Sequence, residues 1–184
     1  MAVVVAAKTT SDAANCVPFP PNPNSPQSTI STVAREIIQA GGNALAVQVD
    51  VRDFAQTEAL VERTIAHFQR LDVLVYNSGA IWWSSVANTP MKRFQLMQRV
   101  NPEGLYGCIQ ACLSHFNGHD RESSGRMIVI SPPIYSRFLK GKTAYAAGKW
   151  AMSALTMGLA MDFEREGQSE MAITSLWPAA VSRQ

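Results

Sequence analysis

The chain has 184 residues, enough for one domain with a sizeable core. Hydrophobic residues make up 47% and charged residues only 16%, the formal net charge is +2, and no run of Lys and Arg forms a nucleic-acid footprint. No stretch reaches the ~20 apolar residues that span a membrane, and an odd number of cysteines, three, argues against a disulfide framework. The apolar run after Met1 is too short for a signal peptide and no basic residue precedes it. Ser182-Arg183-Gln184 is not the Ser-Lys-Leu peroxisomal signal. These features describe an intracellular protein, cytoplasmic by default, with peroxisome and mitochondrion left open.

In chain order, Ala2-Val3-Val4-Val5-Ala6-Ala7 is a continuous apolar run, the pattern of a strand buried on both faces. Residues 11–28 are rich in Pro, Asn and Ser and read as a loop that is long for a compact domain. Thr29 to Ala40 predicts a helix with Val33, Ile37 and Ile38 on one face, stopped by Gly41-Gly42. Ala44 to Val51 reads as a second strand, and Asp53 caps a helix reaching Arg70. Val73-Leu74-Val75-Tyr76 is a third strand ending at Asn77-Ser78-Gly79-Ala80, with Trp82-Trp83 beyond it. A long helical region runs from about Met91 to Phe116. Met127 to Ser131 is a fourth strand, Ala144 to about Glu166 a long helix, and Met171 to Trp177 a fifth strand stopped by Pro178.

Alternating strands and helices predict an α/β fold, a doubly wound parallel sheet with helices on both faces. Such sheets bind ligands at the carboxyl ends of their strands. Those ends carry Lys8, Asp50, Asn77 to Ala80, Ser131 and Pro178. Tyr145 opens the long helix beside them, four residues before Lys149, so the two share a helix face. A lysine ammonium there favours the phenolate and is expected to lower the tyrosine pKa, readying it for proton transfer.

These features resemble the short-chain dehydrogenase/reductase family over nearly the whole chain. Asn77-Ser78-Gly79-Ala80 is close to that family's Asn-Asn-Ala-Gly strand end. Asn101 in a long helix, Ser131 at a strand end and Tyr145-x-x-x-Lys149 follow in the family's order, and Pro178 with Val181 resembles a later Pro-Gly motif in which Ala179 replaces the glycine. Val49-Asp50-Val51-Arg52-Asp53, Ile130-Ser131-Pro132-Pro133 and Leu176-Trp177-Pro178 are similar, more narrowly, to the hydroxysteroid-dehydrogenase-like subfamily.

The resemblance implies one partial Rossmann-like domain over residues 1–184. It also implies hydride transfer between a nicotinamide dinucleotide and a small carbonyl or secondary-alcohol substrate. Tyr145 would exchange the proton, and Lys149 would tune it and hold the ribose. Ser131 would hydrogen-bond the substrate oxygen, with Ser136 as a substitute. Asn101 would hold a relay water. Cofactor contacts fall to Lys8, Asp50 at the adenine ring, Asn77, Gly79, Tyr145, Lys149, Pro178 and Val181. A basic Lys8 where an acid would bind the ribose 2′-hydroxyl favours NADP over NAD. The two long helices would pair in a homo-oligomer.

The chain departs from that pattern before Gly41, where it contains no glycine. A dinucleotide fingerprint needs a Gly-rich turn so that backbone N–H groups reach the pyrophosphate. Aligned to the family, the chain starts at the second strand and ends just past the Pro178 motif. The family's first strand lies between its second and fourth, here Ala2–Ala7 and Val73–Tyr76. Without it both are expected to keep one open edge, the isolated chain to be unstable or to aggregate, and dinucleotide binding to be weak. The alternative function is a catalytically inactive Rossmann-like remnant or interaction module.

Cys108, Cys112, His115 and His119 have a zinc-like composition, with spacings of four, three and four. On one straight helix they would span ~16 Å, whereas zinc ligands must converge within about 2.0–2.3 Å of the ion, so no metal site is read there. Trp82 and Trp83 either line a bulky apolar substrate pocket or pack as an ordinary flap. Arg137, Lys140 and Lys142 either attract an anionic substrate such as a CoA thioester or form a solvated loop. Met152, Met157 and Met161 read as core or subunit-interface residues.

Overall fold

The computed structural model describes residues 1–8, 29–116, 125–131 and 139–178. The expected loop at 11–28 lies outside them. The chain divides into two compact units, Met1–Gln69 and Arg70–Gln184.

The first unit is a βαβα arrangement of β1 (Ala2–Ala7), α1 (Ile30–Gln39), β2 (Asn43–Gln48) and α2 (Phe54–Phe68). The strands pair in parallel from Ala2 opposite Asn43 to Ala7 opposite Gln48. Local chemistry sets the helix ends. The Thr29 hydroxyl accepts from the Thr32 N–H at 3.3 Å. At the other end Gly41 adopts φ 83°, while the Gly41 and Gly42 N–H groups donate to the carbonyls of Ile38 and Ile37. Asp53 caps α2 by accepting from the Gln56 N–H. Val47, Val49, Ile30, Ala34 and Val61 are buried.

The second unit contains β3 (Val73–Tyr76), α3 (Met91–Gln98), a π turn (Arg99–Glu103), α4 (Gly104–Phe116), β4 (Arg126–Ile130), α5 (Thr143–Arg165) and β5 (Ala172–Leu176). Its sheet has the order β3-β4-β5, all parallel. The helical region from Met91 to Phe116 ends where the sequence periodicity ends. Leu105, Cys108, Ile109, Cys112 and Phe116 recur at helical spacing and are buried with Met97, Met127, Val129, Met152 and Phe163. Burial, with Cys108 close by, pushes the Cys112 thiol up to about 12. At neutral pH it is therefore a protonated, small apolar core group. No helix among the described residues is long and apolar enough to cross a membrane.

The parallel α/β architecture is the expected one. Among the described residues the strands form two parallel sheets, β1-β2 and β3-β4-β5. β1 and β3 each have one strand neighbour there, the open edges that the sequence led us to expect. The predicted double burial of β1 is not realised. Its ends are exposed and its middle half-buried, because a strand with one neighbour is less enclosed than a central one. On β3, Val73 and Val75 share a face and are 48% and 56% exposed.

Gly125, just before β4, has no room for a side chain. A Cβ there would lie 2.6 Å from Phe116 Cγ and 2.7 Å from Met171 Sδ. Gly125→Ala is expected to destabilise the chain by about 1–3 kcal/mol, because Phe116 is fully buried and cannot step aside. A urea titration checks this; an unchanged midpoint contradicts it.

Candidate active site

The site is built on an irregularity. Pro102 has no N–H to offer the carbonyl one turn earlier, and the chain passes it as the π turn Arg99–Glu103. Asn101 lies inside this turn, fully buried. Its amide is matched at both ends by one residue: Oδ1 accepts from the Ala80 N–H at 2.8 Å, and Nδ2 donates to the Ala80 carbonyl at 3.1 Å. The turn after β3 is thereby fastened to the middle of the helical region. Gly79 sits at the junction, where a Cβ would lie 3.7 Å from Asn101 Oδ1 and 3.9 Å from Lys149 Nζ. The end of β3, the π turn and the α5 lysine thus meet at one point.

Helix α5 brings Lys149 to this junction, with Tyr145 one turn before it on the same helix. Gly148 allows the approach, since a Cβ there would meet the Gln98 side chain at 3.3 Å and Pro102 Cδ at 3.5 Å. Lys149 is 6% exposed and donates from Nζ to the Ile130 carbonyl at 2.7 Å. Burial pulls its pKa down to about 8. Tyr145 is half-buried, and burial raises its phenol above the ordinary value. The expected lowering of the tyrosine pKa by the lysine is therefore reversed in this chain alone. The lysine loses its proton first, so it carries little charge at the pH where the phenol would ionise.

Ser131 is tied to α5 in this chain. It is 1% exposed, donates from Oγ to the Lys149 carbonyl at 3.0 Å and lies 2.8 Å from Ser153 Oγ. A hydroxyl has one proton, and here it binds the end of β4 to α5. Ser136 lies outside the described residues. Ser153, one turn after Lys149, was not singled out from sequence; its spacing of four from the lysine was the available signal.

In the first unit, Lys8 and Asp50 form an ion pair at 3.5 Å. The Arg52 guanidinium chelates the same carboxylate, which also accepts from the Arg52 N–H at 3.1 Å. Arg52 is the main reason the carboxyl is held far below the usual range. Two cations therefore share one carboxylate, leaving net positive charge beside the end of β1. Arg52 was missed as a contributor because its role depends on folding back onto Asp50. In the second unit, Asn77, Gly79 and Pro178 are exposed at strand ends; Val181 lies outside the described residues. The tryptophan pair is gripped by cations, with Arg93 4.6 Å from the Trp82 ring centre and Lys142 4.4 Å from that of Trp83. Among the described residues no group of three or more His, Cys, Asp or Glu side chains could hold a metal ion.

Known proteins resemble this chain in sequence and in its parallel α/β architecture. A family model for short chain dehydrogenases matches residues 22–183, and the chain belongs to that family. Its members are oxidoreductases that use nicotinamide cofactors. The chain is 38% identical over 152 residues to hydroxysteroid dehydrogenase-like protein 2 of Homo sapiens, covering 82% of this chain and 35% of that protein. It is 35% identical over 178 residues to the Danio rerio protein of the same name, covering 96% of this chain and 39% of that one. The crystal structure of a putative dehydrogenase from Xanthomonas campestris superposes with a TM-score of 0.80 at 37% identity, covering 98% of this chain and 61% of that one. The chain thus spans little more than a third of the length of these two curated relatives.

The Lys149 shift has a thermodynamic consequence. In the unfolded chain this lysine titrates near its ordinary value of about 10.4; in the fold it titrates at about 8. Between these values the unfolded chain binds more protons, so the lysine's contribution to stability rises with pH; below pH 8 the burial penalty is present in full. Tyr145 works oppositely above its own ordinary value, which limits the useful window to pH 8 to about 10. In urea titrations across that window, the stability advantage of Lys149→Met over the native chain is expected to shrink steadily as pH rises. A constant difference contradicts the assignment.

Proposed function

We propose that this chain carries the catalytic half of an NADP-linked oxidoreductase acting on a carbonyl or secondary-alcohol substrate. The observation that supports this most is the meeting of Gly79, Asn101 and Lys149 at one point, with Tyr145 one turn before the lysine. On this reading Tyr145 gives its proton to the substrate oxygen during reduction. A phenol kept protonated by burial is in the right state for that direction. Lys149 commits one of its three donors to Ile130, and its others suit a ribose hydroxyl. The side chain of Asn101 is committed to Ala80, so any relay water would be held by main-chain groups of the π turn. Gly79 is exposed and carries no side chain beside Asn101 and Lys149, which supports close approach of a nicotinamide ribose there. The bound nicotinamide supplies the hydride.

Lys8 and Arg52, gathered around one carboxylate, support NADP over NAD because a 2′-phosphate would find net positive charge there. Asn77, Pro178 and Val181 remain proposed cofactor contacts by family pattern. Residues 1–184 form one partial Rossmann-like domain on this reading, with an intracellular, by default cytoplasmic, location. Tyr106 on α4 and Met157 and Met161 on α5 are exposed and support pairing of the two long helices in a homo-oligomer. The open edges that β1 and β3 have among the described residues favour a second reading, a Rossmann-like interaction module without turnover. Assays belong at saturating NADPH.

Tyr145→Phe separates the two readings. In the oxidoreductase it lowers turnover by about 100-fold or more while leaving the NADPH dissociation constant within about threefold, measured by single-turnover absorbance and by titration. Equal loss of binding and turnover contradicts the proton-transfer role, and a native chain that neither binds NADPH nor turns over supports the module.

A further inference from the structure

We propose that Tyr76 is a positioning residue for the site: its hydroxyl sets the register of the π turn and thereby aims Asn101 at Ala80. The kinetic part of this inference rests on the oxidoreductase reading; the structural part does not.

Tyr76 is the last residue of β3 and is 3% exposed, on the face opposite the exposed Val73 and Val75. A phenol so deeply buried needs a partner, and its hydroxyl donates to the Val100 carbonyl. That carbonyl has a particular need. In an uninterrupted α-helix Val100 would accept from the Gly104 N–H. Here the Gly104 N–H is shared between the carbonyls of Arg99 and Asn101. Pro102 has displaced the ladder, and a strand residue 24 positions earlier in the chain supplies a donor instead.

The consequence falls on the next residue. Val100 is held by Tyr76, and Asn101 by Ala80. The segment Tyr76–Ala80 is therefore stapled at both ends to two consecutive residues of the π turn. Gly79, which faces Lys149 Nζ, lies inside the staple. One helical residue corresponds to about 100° of rotation, so a slip of one position would swing the Asn101 amide away from Ala80. Asn101 alone cannot prevent the slip, because its side chain turns with the helix. Val100 bonds through its backbone, which registers the helix directly. Burial, with Cys108 nearby, also raises the phenol pKa well above its ordinary value, so the hydroxyl stays a donor throughout the working pH range.

Tyr76→Phe removes the donor and keeps the ring. Two-dimensional NMR of the native chain and the variant is expected to show exchange of the Asn101 side-chain amide and the Ala80 N–H accelerated about tenfold or more, with the Ile109 and Cys112 amides of α4 unchanged. In turnover assays at saturating NADPH, Tyr76→Phe lowers kcat with little change in KM for the carbonyl substrate. The loss disappears in an Asn101→Ala background, because Tyr76 acts through Asn101. Unchanged exchange at Asn101 and Ala80, or kinetic losses that simply add, would overturn the inference. If the variant does not fold, the native chain decides: a slowly exchanging Tyr76 hydroxyl proton with a cross-peak to Val100 supports the staple, and its absence overturns it. A chain without turnover leaves the NMR outcomes intact, so failure of the oxidoreductase reading is distinguishable from failure of this one.

Discussion

Pro102 has no N–H to give the carbonyl one turn earlier, and the helical region from Met91 to Phe116 cannot pass through it unchanged. The π turn that results presents Asn101 to the end of β3. A primary amide that is fully buried must find partners for both ends, and Ala80 supplies a donor and an acceptor in one peptide pair. The post-β3 turn thereby acquires a fixed place against the helices. Gly79 falls within that turn, and Lys149 reaches it from α5. The constraint begins with a missing hydrogen-bond donor in a helix and ends with a lysine held beside an open glycine.

Lys149 is the electrostatic counterpart of Asn101. Its ammonium is buried, bonded to the Ile130 carbonyl and destabilised enough to titrate near pH 8. Such a group is easily moved between charge states by whatever binds next to it. Tyr145, one turn away, is shifted in the direction that keeps its proton. The pair therefore rests with a protonated phenol and a lysine near its titration point. Negative charge brought in by a ligand would favour the ammonium again.

Much of this was legible in the residues. Thr29 and Asp53 announced their helices because capping is local chemistry, and Gly41-Gly42 marked a stop because the left-handed position favours glycine. Tyr145 and Lys149 shared a face as their spacing required. Long-range partnerships were not legible. The Ser131 hydroxyl turns toward Lys149 O and Ser153, a choice made by packing between β4 and α5. Tyr76 looked like an ordinary strand residue, since its partner lies 24 residues away. Pro102 stood in plain view, but the periodicity on both sides of it continues undisturbed and concealed the π turn. The direction of the Tyr145 shift was misjudged because spacing reveals the neighbouring charge and not the burial that opposes it.

Mass spectrometry of the product formed with NADPH deuterated at the transferable position of its nicotinamide, and a panel of ketones and aldehydes, tests most directly whether this assembled end performs hydride chemistry. The account predicts one deuterium on the carbinol carbon of the alcohol formed. A chain that binds the deuterated cofactor at saturation yet transfers no deuterium to any carbonyl in the panel would contradict it.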